Sequence, residues 1–509
     1  MLAETAKKIA VVSLGFLLGA SAGMAKEATA AKAAAQTATL PLTTKSPEAR
    51  RLAEQAVAMY VDYVRQNDAI DILHKALKLD PQFAMGHELL AQVSLDSAEQ
   101  VNEQKKAFDL RSHASSSEKT LIEWYQDASD HKLISAITKM NDLLSQYPQD
   151  KRVVWMTTWW LMTQAQYERA LAVYAKSGIN DSPGLMNNMA YNLADLRRFD
   201  EAFDFMDQYV KAIPGDPNPQ DSYAEILRLA GHFDKAIEHY QAALAIDPKF
   251  YSSQFGIADT YFLMGDQARA RKEYEIGFQK FPLAELQQIM WQTREATTYV
   301  REGDQKGANQ AFRAIALYAH ARNISQVEAD TYRQMAMYQR NPKFATVLLD
   351  KADAALAEGK NSTQTTIQQE AAQIQRARVE LAIRSGQIDR AHSGVDALSK
   401  MADSSGDNLI EQAYEGAAGA VLMSEFKYEE AVTHLEGDVN NPLSLQLLKE
   451  AYQKTGNRAA AKRTSDTLAG MNDPTLEQAM VVPAFRKCYQ DPACSGSLKN
   501  ASVEHMHMQ

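Results

Sequence analysis

At 509 residues the chain is long enough for several compact domains, or for one long array with no single centre. A formal net charge of −10 leaves nothing to neutralise phosphate in bulk, which excludes a nucleic-acid partner as the main reading. With 45% hydrophobic residues, 23% charged residues and only 15 prolines, the composition favours soluble helix.

The first 25 residues read as a signal peptide. Lys7 and Lys8 precede an apolar run from Ile9 to Leu18, and Ala20-Ser21-Ala22 matches the small-residue cleavage pattern, with Gly23-Met24-Ala25 a second site. An uncleaved anchor is the alternative, although the run is short for a bilayer. The expectation is an exported protein, periplasmic or extracellular, with no cysteine nearby for a lipid anchor. Residues 26–45 are rich in Ala, Thr and Lys without an apolar period, and read as a disordered linker.

From Pro47 onward the pattern is helical. Ala69, Ala76 and Pro81 mark an early helix pair, Ala136 and Pro148 another, and Ala170 and Tyr174 a third. Residues 82–114 fit least well and are expected to hold a longer second helix. Pro214, Pro248 and Pro282 then stand 34 residues apart, twice in succession, each closing an amphipathic segment. Ala202, Ala236 and Ala270 sit twelve residues before these prolines. A phrase recurs before such alanines: Tyr167-Glu168-Arg169 before Ala170, Phe199-Asp200-Glu201 before Ala202, Phe233-Asp234-Lys235 before Ala236 and, farther along, Tyr428-Glu429-Glu430 before Ala431. Gly231 and Gly265 stand five residues before their alanines, as Gly303, Gly386 and Gly456 do before Ala308, Ala391 and Ala461. A glycine so placed belongs in a tight turn between two helices.

These residues resemble the tetratricopeptide repeat family, a 34-residue helix–turn–helix unit. In the unit ending at Pro248 the matches are Ala224, Ala236, Tyr240 and Ala243; in the next they are Ala258, Tyr261, Ala270 and Tyr274, with Gly277 where alanine is expected. Small side chains let the two helices approach, an aromatic fills the hole beside them, and proline ends the second helix. The resemblance implies an all-α, right-handed superhelical solenoid of about twelve stacked antiparallel pairs. The chain divides into a signal peptide (1–25), a linker (26–45), an N-terminal array (46–282), divergent repeats of the same kind (283–470), and a C-terminal cap and tail (471–509).

Motifs that carry chemistry are scarce. Gly359-Lys360-Asn361 resembles a phosphate loop but lacks the upstream glycine and the Ser or Thr that holds magnesium. His87-Glu88 lacks a second histidine and reads as a surface pair. Cys488 and Cys494 bracket a turn at Asp491-Pro492 and read as a local disulfide in an oxidising compartment, two free thiols being the alternative. Glu504, His505 and His507 could bind a soft metal, but a flexible tail is the simpler reading. No cofactor, no metal site and no catalytic group is expected.

The family's register turns the first helix of each pair toward a concave groove. It places there Trp155, Trp159 and Met162, then Asn188 and Tyr191, then Glu225 and Arg228, then Phe255, Asp259 and Phe262, while Trp160 faces the repeat core. The alternative packs the tryptophans between repeats as core. Asp221, Glu225 and Asp259 stand where some family members carry the basic residues that grip a carboxylate terminus, which argues against that mode. The expected function is a non-enzymatic envelope scaffold binding a protein or peptide. The alternatives are a small-ligand or enzymatic site in the divergent C-terminal half, and minor metal binding by the tail.

Overall fold

The computed structural model describes residues 39–490. The signal peptide, the linker up to residue 38 and everything after Gln490, including Cys494, Glu504, His505 and His507, lie outside the described residues. Cys488, on the last described helix, is not a free thiol.

Among the described residues there are 25 α-helices and no strand. They form twelve consecutive antiparallel pairs, from Pro47–Val61 with Gln66–Leu79 to Pro442–Lys454 with Arg458–Ala469, followed by a single helix, Leu476–Gln490. Each pair packs on the next, which makes an all-α solenoid. No described helix is long and apolar enough to cross a membrane.

The repeat is written in one backbone position. In ten of the twelve pairs the residue five before the packing alanine has positive φ: Gly231 (85°) and Gly265 (95°), but also Val64 (52°), His131 (61°), Arg197 (59°) and Phe426 (62°). The left-handed residue lets the next N–H reach back to close the helix end, as His232 to the Leu227 carbonyl at 2.8 Å and Arg198 to that of Leu193 at 2.8 Å. The alanines that follow, among them Ala69, Ala136, Ala202, Ala236 and Ala270, are wholly buried where the two helices meet. Pro214, Pro248 and Pro282 each stand two residues beyond the end of their helix. Gly277 departs from alanine for a visible reason: a methyl there would lie 2.6 Å from the Phe255 ring, which already fills the space.

Three expectations need correction. Residues 39–45 are not a free linker. Leu40 and Leu42 are buried, and the backbone is held by carboxylates of successive pairs: Leu40 N–H on Asp150 at 2.6 Å, Thr43 N–H on Glu118 at 2.6 Å, Lys45 N–H on Asp80 at 3.1 Å. His87-Glu88 is not a surface pair. Both side chains are buried, His87 facing Glu103 at 2.5 Å and the Pro81 carbonyl at 3.0 Å. Residues 82–114 hold an ordinary pair whose second helix, Ser97–Leu110, is no longer than its neighbours; the short first helix, Ala84–Val93, is what blurred the pattern.

The superhelix is wound so tightly that its turns touch. Leu286 N–H donates to the Leu95 carbonyl at 3.2 Å, His131 N–H to Thr365 Oγ1 at 3.0 Å, and Asn408 Nδ2 to the Gln164 carbonyl at 3.0 Å. Each contact joins pairs six or seven apart. At the N-terminal end the first pair folds inward: Asp62 accepts from Gly184 N–H at 3.3 Å, and Arg65 pairs with Asp216 at 3.0 Å. The concave face is thereby a lumen rather than an open groove.

Candidate functional site

The lumen wall is built from the first helices of successive pairs. Trp155, Trp159 and Met162 come from Lys151–Thr163, Asn188 and Tyr191 from Pro183–Asp195, Glu225 and Arg228 from Asn218–Leu229, and Asp259 from Tyr251–Met264. All eight line one chamber of about 460 Å³. Phe255 and Phe262, expected beside them, do not. Both are core: Phe255 stacks on Trp291 at 4.7 Å, and Phe262 lies under the Arg301 guanidinium. Their helix is buried around most of its circumference, so sequence periodicity could not separate its lumen face from its packing face.

The chamber has an aromatic side and a charged side. Trp155 and Trp159 lie in parallel, 5.5 Å between centroids and 9° between planes, and Tyr60 meets Trp155 edge-on at 5.3 Å. Trp155 is buried while Trp159 is 40% exposed, so the outer indole is the one that meets the lumen. Trp160 turns away and packs edge-on against Trp124, a core role as expected. The helix Glu285–Glu302 adds Met290, Trp291 and Arg294, which the sequence reading passed over because the proline ladder stops at Pro282. Met290 and Arg294 are one helical turn apart, and that period was the available signal.

On the charged side the groups are largely paired with one another. Arg228, only 1% exposed, meets Glu225 at 2.8 Å and Asp259 at 3.7 Å. Asp259 also accepts from Arg294 and from the Tyr274 hydroxyl, and Glu225 from the Tyr191 hydroxyl at 2.8 Å. Burying such a pair costs desolvation that only close partners offset, which fixes these helices relative to one another. Asp221 is the exception. It accepts from the Ser253 hydroxyl at 2.6 Å and has no arginine in contact. Burial pushes its pKa up to about 7, with the Ser253 hydrogen bond and the more distant Arg228 charge opposing and the Glu225 charge adding. Asn188 is spent internally, between Thr158 and Asn192.

Arg228, Glu225 and Tyr191 also line a second chamber of about 530 Å³, bounded by Asp195, Arg333 and Asp473–Glu477, which are the end of a strap, Gly470–Thr475, and the start of the last helix. The strap follows the last repeat pair and crosses the lumen: Arg197 donates to the Gly470 carbonyl at 3.0 Å, and Asn472 to that of Leu229 at 3.0 Å. Burial raises Asp195 to about 7, with Asp473 and Glu225 adding to it. Among the described residues no group of His, Cys, Asp and Glu is placed to hold a metal ion. Gly359-Lys360-Asn361 is a helix end, with Lys360 paired to Glu358.

Paired helices in series, wound about a walled lumen, define an α-solenoid of the kind that serves protein–protein contact. Residues 224–265 match the family profile described as TPR repeat, and the chain carries helix pairs of the same build on both sides of them. It is similar to the solved structure of the APC/C hetero-tetramer Cut9–Hcn1, at 13% identity and TM-score 0.41 over 84% of this chain and 81% of that one. Yeast Tom70 is similar at 14% identity and TM-score 0.37, over 89% and 99%. A tetratricopeptide repeat protein from Parabacteroides merdae is similar at 14% and 0.34, over 60% and 100%. A comparison with curated proteins finds no match.

Proposed function

We infer that the protein is an exported, non-enzymatic scaffold of the cell envelope that holds a protein or peptide partner in its lumen. The observation that carries this reading is the chamber itself. Eight residues from four successive pairs converge on one space in which aromatic, methionine and paired polar groups are mixed, the surface chemistry that binds polypeptide. The lumen's arginines are committed to its carboxylates, Arg228 to Glu225 and Arg333 to Glu370, which suits a rigid binding wall better than proton transfer. Export rests on Lys7, Lys8 and the apolar run after them.

The test is affinity capture from the envelope fraction with the parent and with Trp159→Ala, Met162→Ala, each checked for helicity. A partner enriched by the parent and lost from the folded variant supports the lumen reading. The same partner on both sinks it. Mass measurement of the mature chain checks the export claim: an N-terminus after Ala22 or Ala25 is expected, and an intact Met1 refutes cleavage.

A further inference from the structure

The chamber's charges do not balance. Three carboxylates line it, Asp221, Glu225 and Asp259, against two guanidiniums, Arg228 and Arg294. Glu225 and Asp259 take both arginines between them, and Asp221 keeps only a serine hydroxyl. Asp221 and Glu225 are also four residues apart on one helix, an arrangement of like charges that is unfavourable unless a cation lies between them. A second unused acceptor is nearby: Asn187 Oδ1, on the same chamber wall, is buried without a hydrogen-bond partner. The same chamber is lined by Trp159, 40% exposed and stacked on Trp155, which Tyr60 meets edge-on, and such a ring face attracts cations. Next door, the strap at Gly470–Asn472 shows that this lumen holds non-helical chain by hydrogen bonds in both directions: Arg197 donates to the Gly470 carbonyl, and Asn472 donates to the Leu229 carbonyl.

Resting on the binding reading above, we propose that the chamber takes a basic side chain, a lysine ammonium or arginine guanidinium, from an extended segment of the partner. The cation sits against Trp159 and meets Asp221, with Asn187 as a further acceptor. The occupant brings a cation into contact with the one chamber carboxylate that no arginine touches, and the chain's overall charge of −10 draws in such a segment from a distance.

The test is titration of the full chain, followed by tryptophan fluorescence, with end-blocked pentapeptides Gly-Ser-X-Ser-Gly. X is lysine, arginine, norleucine or glutamate. The lysine and arginine peptides are expected to bind at least tenfold tighter than the other two. Asp221→Asn is expected to reduce them to the norleucine level. Glutamate binding best would assign recognition to Arg228 and Arg294 and overturn the proposal, as would equal binding of norleucine or no binding by any peptide. The peptide series in the parent stands even if the variant misfolds. A partner captured through Trp159 and indifferent to Asp221→Asn would sink this proposal and leave the scaffold reading intact.

Discussion

Gly277→Ala pits two effects of known size against each other. The position lies within the helix Gln267–Lys280, where replacing glycine by alanine gains about 1 kcal/mol in helix propensity. Alanine is also the residue the family expects there. Against this, the added methyl would stand 2.6 Å and 2.7 Å from two carbons of the Phe255 ring. That ring is fully buried, wedged between Trp291 and Phe278, and has nowhere to retreat. Overpacking of this kind costs about 1–3 kcal/mol, so the substitution is expected to destabilise by a net amount of roughly 1 kcal/mol. Urea unfolding followed by circular dichroism measures it, and the discriminating comparison is the background. With Phe255→Leu already made, the same Gly277→Ala should stabilise, because the propensity gain survives and the clash is gone. A change of sign between the two backgrounds is the expected result. If Gly277→Ala stabilises the parent as well, the packing explanation for this departure from the repeat is wrong.

Val64→Gly and Phe426→Gly should each raise stability, by about 0.5–1 kcal/mol, since both residues are held at positive φ in the turn that Gly231 and Gly265 occupy elsewhere; unchanged urea midpoints would show that these turns carry no strain. Asp259→Ala should cost about 3–5 kcal/mol in the same assay, because it leaves Arg294 and the buried Tyr274 hydroxyl without their acceptor and takes from buried Arg228 the second of its two carboxylates, and a loss under 1 kcal/mol would mean the pairs are not structural. Glu88 supplies a pH test. Burial pushes its pKa up to about 8, above its unfolded value, so its favourable contribution is complete below about pH 4 and is lost as pH rises through 8. Glu88→Gln should flatten the decline in unfolding free energy between pH 5 and 8, and an unchanged slope would refute that account.

The repeat was legible because it is written in residues with few substitutes. Proline after the helix, a turn glycine and an alanine where helices touch each admit little else, and their spacing alone gave the pair boundaries. Val64, Arg197 and Phe426 occupy the same turn position without being glycine; the pair at Val64 read weakly, while at Arg197 and Phe426 the aromatic-acidic phrase before Ala202 and Ala431 carried the reading. The family register placed Trp155 and Trp159 on the lumen, although their helix too is buried all round from Val153 to Thr158. It failed at Phe255 and Phe262, where a helix packed on most sides offers no contrast between faces. The enclosure of the groove was not legible at all. It depends on superhelical pitch, the sum of many small angles between pairs, and on single distant contacts such as Leu286 with Leu95 that leave no local pattern.

The contacts between turns have a mechanical consequence. Within a pair, helices are joined by continuous apolar packing; between turns, the ties are small groups of hydrogen bonds, such as Leu286 to Leu95 with Ser97 to Glu285, and Arg197 to Gly470 with Asn472 to Leu229. Such a body is a close-wound spring, stiff across its coils and compliant along its axis. Pulling its ends apart would part those ties long before any helix unravelled, widening the gaps between coils while every repeat stayed folded.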